Sequence, residues 1–161
     1  MRMLDEHAAP PASGNAEGSL EAATARLARL ICIHAPYDGT FSQRIPGMHV
    51  GRFSRMGDDT VKSFYSPSLS IVAQGAKSVT VGQEVYQFDR SHLLMLPVAL
   101  PVTLQTTQAS HAEPFLSVRL ELDPHRFAEL VLKVYPQGLP PVRQWSAGYV
   151  TCADASMVNA A

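Results

Sequence analysis

From Ile45 onward the chain consists of short apolar runs separated by turn residues, and this pattern constrains its fold more than any other feature. In the last run, Leu116 and Val118 alternate with Ser117 and Arg119, which is typical of a strand with one buried face. Turn residues at positions 82–83 and 89–91 predict a tight hairpin and a second turn. Gly82 is expected to supply the positive φ of this hairpin, and Gly75 to allow a sharp turn of the strand where a side chain would clash. The sequence therefore predicts a mainly β domain, with strands over residues 48–55, 68–74, 78–81, 84–88, 92–97, 102–106 and 115–122.

An amphipathic helix is predicted before this β-rich region. It is expected to begin after Ser19, whose hydroxyl can cap the exposed helix amides, and to end near His34. Residues 1–18 are rich in Ala, Pro, Gly and Ser, and they contain too few large apolar groups to offset the entropy of ordering. We therefore expect a flexible N-terminal tail over residues 1–18 and a single domain over residues 19–161.

A second helix is predicted after the strands. Asp123 can cap its first turn, and Pro124 suits the first helical position because that position needs no amide hydrogen bond. A further helix is expected over residues 154–161. The side chains of the second helix expected to face the strands are Phe127, Leu130, Val131 and Val134.

Composition argues against several classes of protein. The 161 residues are 46% apolar, enough for one buried core. A net charge of −1, with only 17% charged residues, lacks the basic surface expected of a domain that binds DNA by itself. No segment approaches the roughly 20 apolar residues that cross a membrane, so we expect a soluble cytoplasmic protein without a membrane partner. Cys32 and Cys152 are far apart in sequence and are expected to be free thiols.

The chain contains the strings YSP (65–67), LSIVAQGAK (69–77), VTVG (79–82), LLML (93–96), LPV (100–102) and LELD (120–123), together with Tyr86. In this order and spacing, these strings resemble the N-terminal domain of AraC-type transcriptional regulators. The resemblance covers roughly residues 20–161. It implies a cupin-like β-barrel of the jelly-roll type that binds a small effector, with flanking helices that form a homodimer. It also implies that DNA is bound only through a C-terminal pair of helix-turn-helix units, expected beyond Ala161.

The barrel interior is the predicted effector site. If the apolar residues of the strands point inward, the interior is hydrophobic and suits a hydrophobic or aromatic effector. The expected inward set is Leu69, Ile71, Ala73, Leu94, Leu96, Leu104, Val118 and Leu120. The candidate ligand-binding residues are Phe53, Phe64, Tyr65, Ile71, His92, Leu94, Leu96, Leu104 and Val118.

Two alternatives remain open at this point. The first is a barrel filled by its own side chains, which would leave a purely structural dimerisation module. The second is a cupin-type metalloenzyme, but the histidines are isolated and no His-x-His pair is present. We therefore expect no metal, no cofactor and no catalytic residues. His92 is interpreted as a hydrogen-bonded structural histidine, and Lys77 as a solvated charge at a strand edge.

Self-association is predicted through the flanking helices, because their apolar residues require a partner surface. The candidate dimerisation residues are Leu27, Leu30, Ile31, Leu130 and Val134. The function predicted from the sequence is thus effector sensing and dimerisation within a bacterial transcription regulator.

Overall fold

In the computed structural model, which describes residues 13–57, 61–141 and 146–161, the chain forms two facing antiparallel β-sheets with flanking helices. The six-stranded sheet has the order β1-β2-β9-β4-β7-β10, and the four-stranded sheet has the order β3-β8-β5-β6. The strands are β1 (Gly39–Ser42), β2 (Met48–Phe53), β3 (Val61–Tyr65), β4 (Ser68–Gln74), β5 (Ala76–Val81), β6 (Glu84–Asp89), β7 (His92–Leu96), β8 (Leu100–Gln108), β9 (Phe115–Glu121) and β10 (Tyr149–Cys152). The helices are α1 (Ser13–His34), α2 (Pro124–Val134) and α3 (Ala155–Ala160).

The chain crosses between the two sheets at Gly75. This residue joins β4 of the six-stranded sheet to β5 of the four-stranded sheet, and its φ of +77° is favourable only for glycine. A Cβ atom at this position would lie 2.5 Å from the carbonyl oxygen of Gln108. The sharp corner predicted at Gly75 is therefore confirmed, and so is the positive φ of Gly82 in the β5–β6 hairpin.

Two apolar cores result from this arrangement. One lies between α1 and the outer face of the six-stranded sheet, and it includes Ala23, Leu27 and Ile31 of the helix. The other lies between the two sheets and includes Leu94 and Phe115. The mainly β, cupin-like jelly-roll fold with flanking helices is confirmed, although the strands remain in two sheets instead of one closed barrel.

Several predicted element boundaries need correction. Helix α1 begins at Ser13, before the predicted start at Ser19, and residues 1–12 of the predicted tail lie outside the described residues. Strands β1, β3 and β10 were not predicted. They are short, and each pairs with only one neighbouring strand at a sheet edge, so their sequences carry little of the alternation of a half-buried strand.

Helix α2 forms where it was predicted, but it does not pack on the strands. The Asp123 carboxylate accepts hydrogen bonds from the amides of His125 and Arg126 at 2.9 and 3.1 Å, which confirms the predicted cap. However, Leu130 is 56% exposed, Val134 is 59% exposed, and Phe127 is also exposed. The expectation that these residues face the strands is therefore wrong, and α2 presents an uncovered apolar face.

Among the described residues, none of the helices has the length and hydrophobicity required to cross a membrane.

Candidate functional site: the cavity between the sheets

A cavity of about 550 Å³ lies between the two sheets. This volume is within the range typical of small-molecule sites, so the filled barrel considered from the sequence is not what the fold produces. Arg55 in its lining is exposed, so the cavity reaches the surface there. The lining residues are Thr40, His49, Val50, Gly51, Phe53, Arg55, Gly57, Ser63, Tyr65, Ser70, Lys77, Val79, Phe88, Leu94, Leu104, Thr106, Phe115, Ser117 and Arg119.

Four predicted ligand-binding residues lie in this lining. Leu94 and Leu104 contribute aliphatic surface from β7 and β8, one from each sheet. Phe53 and Tyr65 contribute aromatic rings from β2 and β3. Each of these side chains points toward the opposite sheet, so the structure brings them together around one space.

Ile71 and Val118 lie on the opposite face of the six-stranded sheet. Both are buried in the core formed with α1, together with Ala73, and Leu69 packs against that core. Their predicted inward orientation is therefore wrong. Ser70 and Ser117, with Arg119, line the cavity in their place. The alternation of β4 and β9 was predicted correctly. However, α1 packs on their apolar face, so their more polar face lines the cavity.

Three further candidates lie outside the cavity lining. Phe64 is 69% exposed, because it lies on the face of the four-stranded sheet opposite to the cavity. His92 Nδ1, at the start of β7, lies 2.9 Å from a carboxylate oxygen of Asp89, at the end of β6. Leu96 is fully buried in the core between the sheets, beyond the residues that line the cavity.

Lys77 is the cavity residue that the sequence analysis misread. It belongs to β5, which lies between β8 and β6, so it is not at a sheet edge, and it is only 9% exposed. Its Nζ lies 4.2 Å from the ring centre of Phe53 and 4.5 Å from that of Phe115. Burial lowers the pKa of the ammonium group from 10.5 to about 8. The sequence did contain a signal for this burial. Lys77, Val79 and Val81 are spaced two residues apart, which places all three on one face of the strand.

A network of charged and aromatic groups occupies the side of the cavity formed by β9. The guanidinium carbon of Arg119 lies 4.6 Å from the ring centre of Tyr65, and its Nη1 lies 3.0 Å from a Glu121 oxygen. The same Glu121 oxygen lies 3.2 Å from His49 Nε2. Burial raises the pKa of the Tyr65 phenol, while the positive charge of Arg119 opposes that change. The pairing with Glu121 holds Arg119 in place over the Tyr65 ring.

Within the described parts of the chain, no three His, Cys, Asp or Glu side chains come close enough together to hold a metal ion. Cys32 and Cys152 are both exposed and unpaired in a disulfide, as predicted from their separation.

The five candidate dimerisation residues fall into two groups. Leu27 and Ile31 are buried against the six-stranded sheet of their own chain, so they are not on a free surface. Leu30, Leu130 and Val134 are exposed. The buried candidates of α1 therefore belong to the core of their own chain, whereas the candidates of α2 lie on an uncovered face.

Solved structures with low sequence identity are similar to parts of this chain. The crystal structure of an apo ToxT variant from Vibrio cholerae has 10% sequence identity and a TM-score of 0.47, covering 74% of this chain and 46% of that chain. A cupin superfamily protein from Desulfitobacterium hafniense has 15% identity and a TM-score of 0.41, covering 58% of this chain and 88% of that chain. This chain thus spans about half the length of ToxT. No curated protein matches the chain.

A family model described as the AraC-type transcriptional regulator N-terminus matches residues 44–161, which is well over half of the chain. The match begins just before β2 and includes every strand that lines the cavity except β1, which contributes Thr40. It agrees with the resemblance seen in the strings of the sequence. The chain therefore belongs to the family of AraC-type transcriptional regulator N-terminal domains, the regulatory part of that class of transcription regulator.

Proposed function

We propose that the cavity between the sheets is the effector site of this regulatory domain. The observation that carries the proposal is the 550 Å³ space, lined by side chains of both sheets, within a domain of a transcription-regulator family. Its walls combine aromatic and aliphatic surface with a few polar groups, which is the usual composition of a small-molecule site. A ligand that contacts both sheets can shift the balance between two arrangements of the domain when it binds one of them more tightly.

Filling the cavity with a larger side chain tests this proposal. Leu104→Trp places an indole group in the cavity, whereas Val85→Trp adds the same group at an exposed position of β6. Compounds that raise the melting temperature of the wild-type protein are expected to do so equally in the Val85 variant and not in the Leu104 variant. Equal stabilisation of both variants by the same compounds would place the ligand elsewhere.

We also propose that two copies of the domain associate through α2. Its apolar residues Phe127, Leu130 and Val134 form an exposed face with no covering element among the described residues. Pairing of identical faces about a two-fold axis would bury this surface in both copies. Leu30 lies outside α2, and the buried Leu27 and Ile31 are not part of the proposed interface.

Sedimentation equilibrium at micromolar concentrations tests this association. The wild-type protein is expected to form dimers, and Leu130→Asp with Val134→Asp is expected to shift it to monomers. Val85→Asp, at an exposed apolar position on β6, serves as the control and should leave the dimer unchanged. A strictly monomeric wild-type chain, or dimers that persist in the double variant, would contradict the proposal.

In this proposal the domain binds its effector without converting it, and DNA recognition belongs to another part of the regulator. The first statement predicts that the effector is recovered chemically unchanged after prolonged incubation, as measured by mass spectrometry. The second predicts that this chain shows no preference for an operator over scrambled DNA at physiological salt in a gel-shift assay.

A further inference from the structure

The ionisable side chains of the cavity are almost all basic. Among the described lining residues, His49, Arg55, Lys77 and Arg119 can carry positive charge, and none is Asp or Glu. Glu121, just outside the lining, contacts both Arg119 and His49. The cavity therefore carries an excess of positive charge on its inner surface.

Lys77 is the basic residue whose charge remains uncompensated. Arg55 is exposed and can be hydrated, whereas Lys77 is nearly buried. Among the described residues, no hydrogen bond or ion pair joins the Lys77 ammonium to another side chain, and its contacts are the rings of Phe53 and Phe115. Aromatic rings replace only part of the hydration that an ammonium group loses on burial. A negatively charged group placed in the cavity would supply the missing interaction.

The other residues of the cavity indicate the chemistry of the uncharged part of such a ligand. Phe53, Tyr65 and Phe115 present aromatic surface next to the ammonium group, and Leu94 and Leu104 present aliphatic surface. This surface would be poorly matched by a small inorganic ion, which has no apolar part to bury. It is well matched by an apolar body attached to a single charged group.

We propose that the effector is a small organic carboxylate with an aromatic or aliphatic body, whose carboxylate is bound by the ammonium group of Lys77. This inference rests on the proposed function of the cavity and specifies the chemical class of its ligand. The short carboxylate-to-ammonium contact fixes the orientation of the ligand, and the rings bury its body between the two sheets.

Calorimetric titration with matched pairs of compounds tests the inference. Benzoate and octanoate are compared at pH 7 with their neutral counterparts, benzamide and octan-1-ol. The wild-type protein is expected to bind each carboxylate at least about tenfold more tightly than its neutral counterpart. Lys77→Met should weaken carboxylate binding by at least about tenfold and change the binding of the neutral compounds little. Lys62→Met, which removes an exposed lysine on β3, should behave as the wild type does.

The wild-type comparison alone can overturn the inference, whatever the stability of the Lys77 variant. Neutral compounds that bind as tightly as the carboxylates, carboxylates that do not bind, or carboxylate binding unaffected by Lys77→Met would each refute it. If neutral compounds bind and Leu104→Trp blocks them while Lys77→Met does not, the carboxylate inference fails and the effector site remains. Carboxylate binding that persists unchanged in the Leu104 variant would instead refute the proposed effector site.

Discussion

Replacing Lys77 by methionine is expected to stabilise the ligand-free domain at neutral pH. A lysine whose pKa falls from 10.5 to about 8 on folding destabilises the folded state by about 3 kcal/mol when the solution is below pH 8. Methionine has a similar length, fills the same space and carries no charge. The expected gain in the free energy of unfolding at pH 7 is therefore up to about 3 kcal/mol.

The pH dependence gives this prediction a second, independent measurement. Because the pKa of Lys77 is lower in the folded state, the unfolded state binds more protons between about pH 8 and 10.5. The stability of the wild type should therefore rise across this interval relative to that of the Lys77→Met variant, and the advantage of the variant should disappear toward pH 10.5. Below pH 8 both states are protonated, and the difference should be constant.

Urea unfolding followed by circular dichroism at pH 7, 8, 9 and 10 measures both quantities. Lys62→Met serves as the matched control, since this exposed lysine should change stability by no more than about 0.5 kcal/mol at any pH. A Lys77→Met protein less stable than the wild type at pH 7 would refute the reasoning. So would a stability difference that does not change between pH 8 and 10.

Three further outcomes follow from the packing. Gly75→Ala should destabilise the fold by more than about 2 kcal/mol, because its Cβ would meet Gln108, whereas Gly82→Ala, with open space around it, should cost about 1 kcal/mol; urea unfolding measures both. Ile31→Ala should lower the free energy of unfolding by about 2–5 kcal/mol, and Leu30→Ala, half exposed one residue earlier, by less than about 1 kcal/mol. Substituting Asp123 by alanine should reduce the helical circular dichroism signal of α2 and leave the urea midpoint nearly unchanged, because no α2 residue is buried. An equal loss for either matched pair, or a large change in midpoint for Asp123, would contradict the packing described.

The sequence predicted local structure well wherever the signal is contained in a few neighbouring residues. The hairpin at Gly82, the corner at Gly75 and the cap of α2 at Asp123 depend on backbone conformation and short-range hydrogen bonds, and all three are confirmed. The bounds of β4, Ser68–Gln74, were also predicted without error. The short edge strands were missed because pairing with a single neighbour stabilises them and their sequences need not alternate.

The candidate site was predicted less completely, because alternation identifies two faces of a strand and does not say what covers each face. Leu94 and Leu104 were placed in the cavity correctly, since their strands present aliphatic side chains to the opposite sheet. On β4 and β9 the prediction was reversed, and Ile71 and Val118 pack against α1. Both faces of the six-stranded sheet are covered, one by a helix and one by the second sheet, so burial alone could not distinguish them.

The sequence by itself determined the class of fold, the order of most strands and turns, and membership of a transcription-regulator family. These depend on periodicity, on glycine and proline positions, and on the spacing of short strings along the chain. Only the tertiary structure decided that a cavity exists, that Lys77 is buried beside Phe53 and Phe115, and that α2 is uncovered. Each of these depends on which elements face one another across the domain, and that is fixed by the packing of segments distant in sequence.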